Sequence, residues 1–94
     1  MNKHDALNFI RQAAARDQVL ITRHAEVRMK EREISRKMVY DALHLGRINR
    51  EPEPNIMKGS LECRLDHYRA GESYSVIAAI YEDNPNLIII TVLE

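Results

Sequence analysis

Residues 61–68, Leu-Glu-Cys-Arg-Leu-Asp-His-Tyr, decide the fold class. Apolar and polar side chains alternate along them, the period of a strand with one buried face. Leu61, Cys63, Leu65 and His67 face one way, and Glu62, Arg64, Asp66 and Tyr68 face the other. Downstream, Ala70-Gly71-Glu72 turns the chain, and residues 74–81 are apolar on both faces, as in a central strand. Asp83-Asn84-Pro85-Asn86 is a second turn, and residues 87–93 form a β-branched-rich strand. Just upstream, Arg47-Ile48-Asn49-Arg50 reads as a short strand. Residues 51–55, Glu-Pro-Glu-Pro-Asn, read as a loop, because two prolines without donors exclude a central strand.

Before Gly46 the period is mostly helical. Asn2 caps a first helix over residues 3–16, with Asp5 in its first turn and Ala6, Leu7, Phe9, Ile10, Ala13 and Ala14 at helical spacing. Residues 18–21 form a short extended or linking segment. Thr22 caps a second helix over residues 24–33, and Ser35 caps a third over 36–45. Met38, Val39, Ala42, Leu43 and Leu45 form the buried stripe of the third helix, and Gly46 stops it at C′. The expected fold is α+β: two or three N-terminal helices packed on one face of a three- to four-stranded antiparallel sheet.

Ninety-four residues fit one domain, 1–94, with a modest core. No apolar run approaches the length of a membrane span. The N-terminal Met-Asn-Lys-His-Asp lacks the apolar region of a signal peptide, so a cytoplasmic location is expected. A single cysteine, Cys63, excludes an intramolecular disulfide and fits a reducing compartment. Formal charge is zero, yet residues 23–50 carry +4 and residues 51–94 carry −5. Ten of the fourteen basic residues are arginine, the side chain suited to forked contacts with phosphate or carboxylate.

The second helix holds the clearest chemical signal. His24, Arg28 and Arg32 are spaced four apart and share a stripe. Taking His24 as the origin at about 100° per residue, Arg28 falls near 40° and Arg32 near 80°. Ala25 and Met29 flank them on one side and Val27 and Ile34 on the other, while Glu26, Lys30 and Glu33 occupy the opposite arc. The stripe is therefore expected to face the rest of the protein. Two guanidiniums and an imidazole pointed inward need carboxylate partners, such as Glu62 or Asp66, or a cleft that receives an anion. In the second case His24 is a general acid or base, and Arg28 and Arg32 hold a phosphate.

A second cluster, Arg64, Asp66, His67, Tyr68 and Arg69, ends a strand and enters a turn. It reads either as a solvated strand face or as the opposite wall of a cleft. In the cleft reading Arg64 contacts phosphate and Tyr68 or His67 carries a proton. Tyr74 and Tyr81 read as packing residues rather than base-stacking platforms. No metal site is expected, because zinc sites use closely spaced ligand pairs and the chain has one cysteine. There is no Gly-rich phosphate loop and no nucleophilic serine motif.

The run His24-Ala25-x-x-Arg28-Met29-x-x-Arg32-x-Ile34-Ser35, then Val39, Ala42-Leu43-x-x-Gly46-x-Ile48 and the ending Ile88-Ile89-Ile90-Thr91-Val92, resembles a family of small bacterial proteins named as a domain of unknown function. The resemblance covers roughly residues 20–93 and extends to the RelE/MqsR-like toxin fold. It implies the toxin of a type II toxin–antitoxin pair: a cofactor-free, metal-independent endoribonuclease in which the RNA 2′-OH attacks the adjacent phosphate. It implies RNA and a zinc-finger or helix-turn-helix antitoxin as partners. It carries His24, Arg28 and Arg32 over as catalytic positions and Thr91 as a substrate contact beside Arg64 and Tyr68. One departure stands out: Leu93 lies where such proteins often have a late tyrosine. The alternative is a non-catalytic module on the same fold that binds nucleic acid or protein through the same stripe.

Overall fold

The computed structural model describes all residues, 1–94. Three helices, α1 (Lys3–Ala15), α2 (Arg23–Glu31) and α3 (Arg36–Leu45), accompany five strands: β1 (Val19–Ile21), β2 (Glu53–Asn55), β3 (Ser60–Arg69), β4 (Glu72–Tyr81) and β5 (Leu87–Leu93). The strands form one mixed sheet in the order β1-β5-β4-β3-β2. β1 runs parallel to β5, and every other pair is antiparallel.

The expected α+β class holds, but the sheet is larger than the sequence indicated and is not purely antiparallel. Residues 19–21, read as a linker, are a strand at one edge of the sheet. Its neighbours lock it to β5: the Leu87 amide donates to the Gln18 carbonyl and the Thr22 amide to the Ile89 carbonyl. Residues 53–55, read as loop, form the other edge against β3. Pro54 is tolerated there because an edge strand has a side that needs no donor. Residues 47–50 make a single antiparallel bridge, Arg47 to Asp66, instead of a strand.

The helix caps lie where the sequence places them. The side chains of Asn2, Thr22 and Ser35 each accept the amide three residues on, and Asn2 with Asp5 completes a capping box. The helix ends hold a surprise. α1 and α2 both finish through a left-handed non-glycine residue, Asp17 at φ 56° and Glu33 at φ 55°. In each, the next amide reaches back to the carbonyl five residues earlier, Gln18 to Ala13 and Ile34 to Met29. This 6→1 bond satisfies helix-end carbonyls and tucks Ile34 into the core.

Gly46 ends α3 for a different reason from the one expected. Its φ is −70°, so no left-handed turn requires glycine. A Cβ there would sit 2.5 Å from the Ala42 carbonyl oxygen and 3.0 Å from that of Asp66. The residue is glycine because α3 runs directly into the edge of β3. Leu45, placed in the buried stripe of α3, is exposed instead, while Val39, Ala42 and Leu43 are buried.

All three helices cover the same face of the sheet. Twenty buried residues form one core, and its sheet members include Cys63, Leu65, Tyr74, Val76, Ala78, Ile89 and Val92, all on that face. A bulge opposite Ile77 and Ala78 leaves Ile90 unpaired, which lets Ile89 and Val92, three apart, both point inward. The opposite face has no helix on it. It carries Glu62, Arg64, Asp66 and Tyr68 from β3, Ser73 and Ser75 from β4, and Thr91 and Leu93 from β5. No helix is long and apolar enough to cross a membrane.

Candidate functional site

The α2 stripe does not face inward as expected. Ala25 is the one fully buried residue of α2, and Met29 is half-buried beside it. Val27, taken as a flank of the buried arc, is 50% exposed. Ile34, the other flank, lies beyond the end of the helix, so its wheel position had no meaning. The packed arc is therefore centred on Ala25 rather than on Arg28. His24 is exposed, Arg28 is half-exposed, and Arg32 reaches furthest in. Neither arginine pairs with Glu62 or Asp66. Arg28 lies 3.4 Å from Glu31 on its own helix, and Arg32 lies 3.9 Å from Glu94 at the end of β5. The Arg32 Nε is sealed from solvent and has no hydrogen-bond partner.

A better-built arrangement sits on the open face of the sheet. Arg64 donates from Nε to Asp66 at 2.9 Å and to the Ser75 hydroxyl at 3.3 Å. The Ser75 hydroxyl donates to the same Asp66 oxygen, and Asn49 donates to the other at 2.9 Å. The register explains why these groups meet. Arg64 and Asp66 are two apart on one strand face, Ser75 is directly across from Asp66, and the Arg47–Asp66 bridge brings residues 47–49 alongside. Burial works against ionising Asp66, but hydrogen bonds from Ser75, Asn49 and Arg64, with the Arg64 charge, prevail and hold the carboxyl below its ordinary range.

These residues line an open cleft of about 580 Å³ together with Arg47, Tyr68 and Glu94. Tyr68 projects from the same face and is 67% exposed. His67 also borders the cleft, but its ring packs edge-on against Tyr74, 5.7 Å between centroids, on the helix side. A second cleft, of about 360 Å³, adjoins the first through Ser73, Tyr74 and Glu94 and is bordered by Arg32. Glu31, Glu33, Glu72 and Glu94 line the same cleft, and of these only Glu94 pairs with Arg32.

Of the six residues singled out from sequence, Arg64 and Tyr68 therefore share one cleft and Arg32 borders the next. His24, Arg28 and Thr91 line neither. Thr91 lies on the same open face, paired with Ile77. Sequence reasoning missed Arg47, Asn49 and Ser75. Arg47 and Asn49 had one usable signal, an i, i+2 spacing within a segment read as extended. Ser75 had none, since nothing in one strand announces its cross-strand partner.

No group of three His, Cys, Asp or Glu side chains converges as a metal site. Burial pushes the Cys63 thiol up to about 11, so it is protonated at neutral pH and behaves as a small core side chain.

The molecule is thus an α+β protein with its helices on one face of the sheet and an arginine–aspartate cleft on the other. The chain belongs to the family described as domain of unknown function DUF4258, which matches residues 21–94. The match begins at the last residue of β1 and takes in α2, α3 and β2 to β5. No curated protein and no solved structure matches the chain.

Proposed function

We propose that the protein is a metal-independent endoribonuclease of the toxin class, working in the cleft on the open face of β3 and β4. The observation that carries this reading is the sharing of one cleft by Arg47, Arg64 and Tyr68, on a sheet face that no helix covers. Helices on one face and a mostly antiparallel sheet open on the other also suit a RelE-like fold.

The chemistry asks little of the protein. The RNA 2′-OH attacks its own 3′-phosphate, the 5′-oxygen leaves, and a 2′,3′-cyclic phosphate remains. Arg64 and Arg47 balance the charge that builds on the phosphate oxygens. Tyr68, which lines the same cleft, gives its phenolic proton to the departing 5′-oxygen, and water takes the proton of the 2′-OH. The α2 stripe of His24, Arg28 and Arg32 serves the flanking RNA backbone in this reading, and Thr91 contacts the strand further along the open face. An antitoxin of zinc-finger or helix-turn-helix type is the protein partner.

The test is cleavage of an RNA oligonucleotide by purified protein with a chelator present. Fragments ending in cyclic phosphate are expected. Arg64→Ala should lower kcat/KM about 100-fold, Tyr68→Phe about 100-fold or more, and His24→Ala much less. Expression should arrest growth, and co-expression of the neighbouring antitoxin should relieve it. Intact RNA together with harmless expression would sink the proposal.

One observation favours a second reading, a non-catalytic binding module. Asp66 already pairs with Arg64, and the cleft that Arg32 borders is lined by four glutamates. Tight, salt-sensitive RNA binding without cleavage would select this reading.

A further inference from the structure

We infer that Asp66 and Ser75 form a clamp that holds the Arg64 guanidinium by its Nε and presents its two terminal nitrogens to the cleft as a receptor for a phosphate-sized oxyanion. In this arrangement Asp66 and Ser75 are positioning residues and Arg64 is the contact. The inference rests on the cleft reading above for its ligand class, but not on any cleavage.

Three observations support it. First, every hydrogen bond and ion pair Arg64 makes within the protein uses Nε, to Asp66 and to Ser75. The terminal nitrogens have no protein partner, yet neither is sealed from solvent. Arg64 lines the cleft of about 580 Å³ with Arg47 and also a smaller one of about 170 Å³ with Arg50, Glu51, Glu53 and Glu62; the glutamates of the smaller one repel an oxyanion, so the larger is the one that suits it. An arginine–carboxylate pair is strongest when two nitrogens fork onto the carboxylate, and this pair uses Nε alone. Here the carboxylate takes the side of the guanidinium and leaves the fork free.

Second, the carboxylate is itself held. Asp66 accepts from Arg64 and Ser75 on one oxygen and from Asn49 on the other. With three donors its bonding capacity is largely spent, so it is poorly placed to act as a base toward a substrate. Ser75 is buried and lies across from Asp66 in the ladder, which makes the clamp rigid. Locking the side chain before the ligand arrives removes part of the ordering cost of binding.

Third, a second cation is placed beside the fork. The Arg47–Asp66 bridge has both backbone hydrogen bonds, so Arg47 projects from the same face as Asp66. Its guanidinium makes no ion pair or hydrogen bond within the protein and lines the same cleft.

The test is NMR observation of the Arg64 side-chain Nε–H while inorganic phosphate is titrated into full-length protein, with sulfate and acetate in parallel arms. The wild-type resonance should be sharp before addition and should shift saturably with phosphate. Arg64→Ala should abolish binding at this site. Asp66→Asn and Ser75→Ala should broaden the Arg64 signal and weaken phosphate about tenfold. Ser75→Ala guards against a folding defect in the Asp66 variant, since it removes a single hydroxyl. Saturable binding without RNA cleavage would retain the clamp and remove the nuclease reading. Cleavage with unchanged kcat and KM in both clamp variants, and an unchanged Arg64 resonance, would overturn the clamp and leave the nuclease standing. A response to acetate equal to that for phosphate would also overturn the proposed ligand class.

Discussion

Arg28 on α2 and Arg64 on β3 are the same side chain under two kinds of confinement. Arg28 has one partner, Glu31, from its own helix, with both side chains about half-exposed. Arg64 has a carboxylate at 2.9 Å, a hydroxyl and a braced network behind them, built from a strand, its neighbour and a crossing segment. A surface pair like the first is worth roughly 0–1 kcal/mol, and salt screens it. The second is held by register, which no solvent fluctuation at one side chain undoes. Helical spacing made the stripe conspicuous, while sheet topology made the less conspicuous cleft.

The largest expected effect comes from removing what supports the cleft from below. Leu65 lies between Arg64 and Asp66, faces the helices and is fully buried. Leu65→Ala should cost about 2–5 kcal/mol in chemical denaturation. A cost well under 1 kcal/mol would show that β3 is not clamped between the helices and its own polar face. Next is Gly46→Ala, which puts a methyl 2.5 Å from the Ala42 carbonyl oxygen. The neighbours are backbone and cannot step aside, so about 1–3 kcal/mol should be lost. An unchanged midpoint would mean that α3 does not approach β3 as closely as described.

Much of this architecture was legible in the sequence because it is local. Asn2, Thr22 and Ser35 cap their helices within three residues, and the alternation of residues 61–68 survives intact in β3. What was illegible is nonlocal. β1 is three residues long and becomes a strand because β5, some seventy residues later, offers it an edge. Pro54 argues for a loop until an edge position excuses its missing donor. The stripe turns outward because α2 stops at Glu31 and packs through Ala25, so Ile34 is no guide to the buried arc. Arg64 and Asp66 were noticed as a cluster, but their pairing with each other depended on Ser75 and Asn49 coming alongside.

A middle-sized effect separates the clamp from a surface pair by its pH dependence. The folded Asp66 carboxyl lies below the ordinary 3.8. An acid whose folded value is depressed contributes stability above its unfolded value and loses it as pH falls through the folded one. Wild type should therefore be more stable than Asp66→Asn at neutral pH, by about 1–2 kcal/mol. The difference should hold down to pH 3.8 and shrink below it. Parallel curves through acid would show that the carboxylate's charge plays no part in the network.

The smallest effect, Arg28→Ala, tests the other side of the comparison. Its pair with Glu31 is exposed and within one turn of helix, so thermal or chemical midpoints should move by no more than about 0.5 kcal/mol. The same substitution should act on RNA binding if the stripe touches the phosphate backbone. Each lost contact lowers the slope of log K against log salt by about one unit, whatever the sequence of the RNA. A large stability loss would show that the stripe is structural after all. Unchanged stability and an unchanged slope would remove the stripe from any RNA contact. A reduced slope at full stability would join the stripe to the cleft as one RNA-binding track, with Arg32 between them.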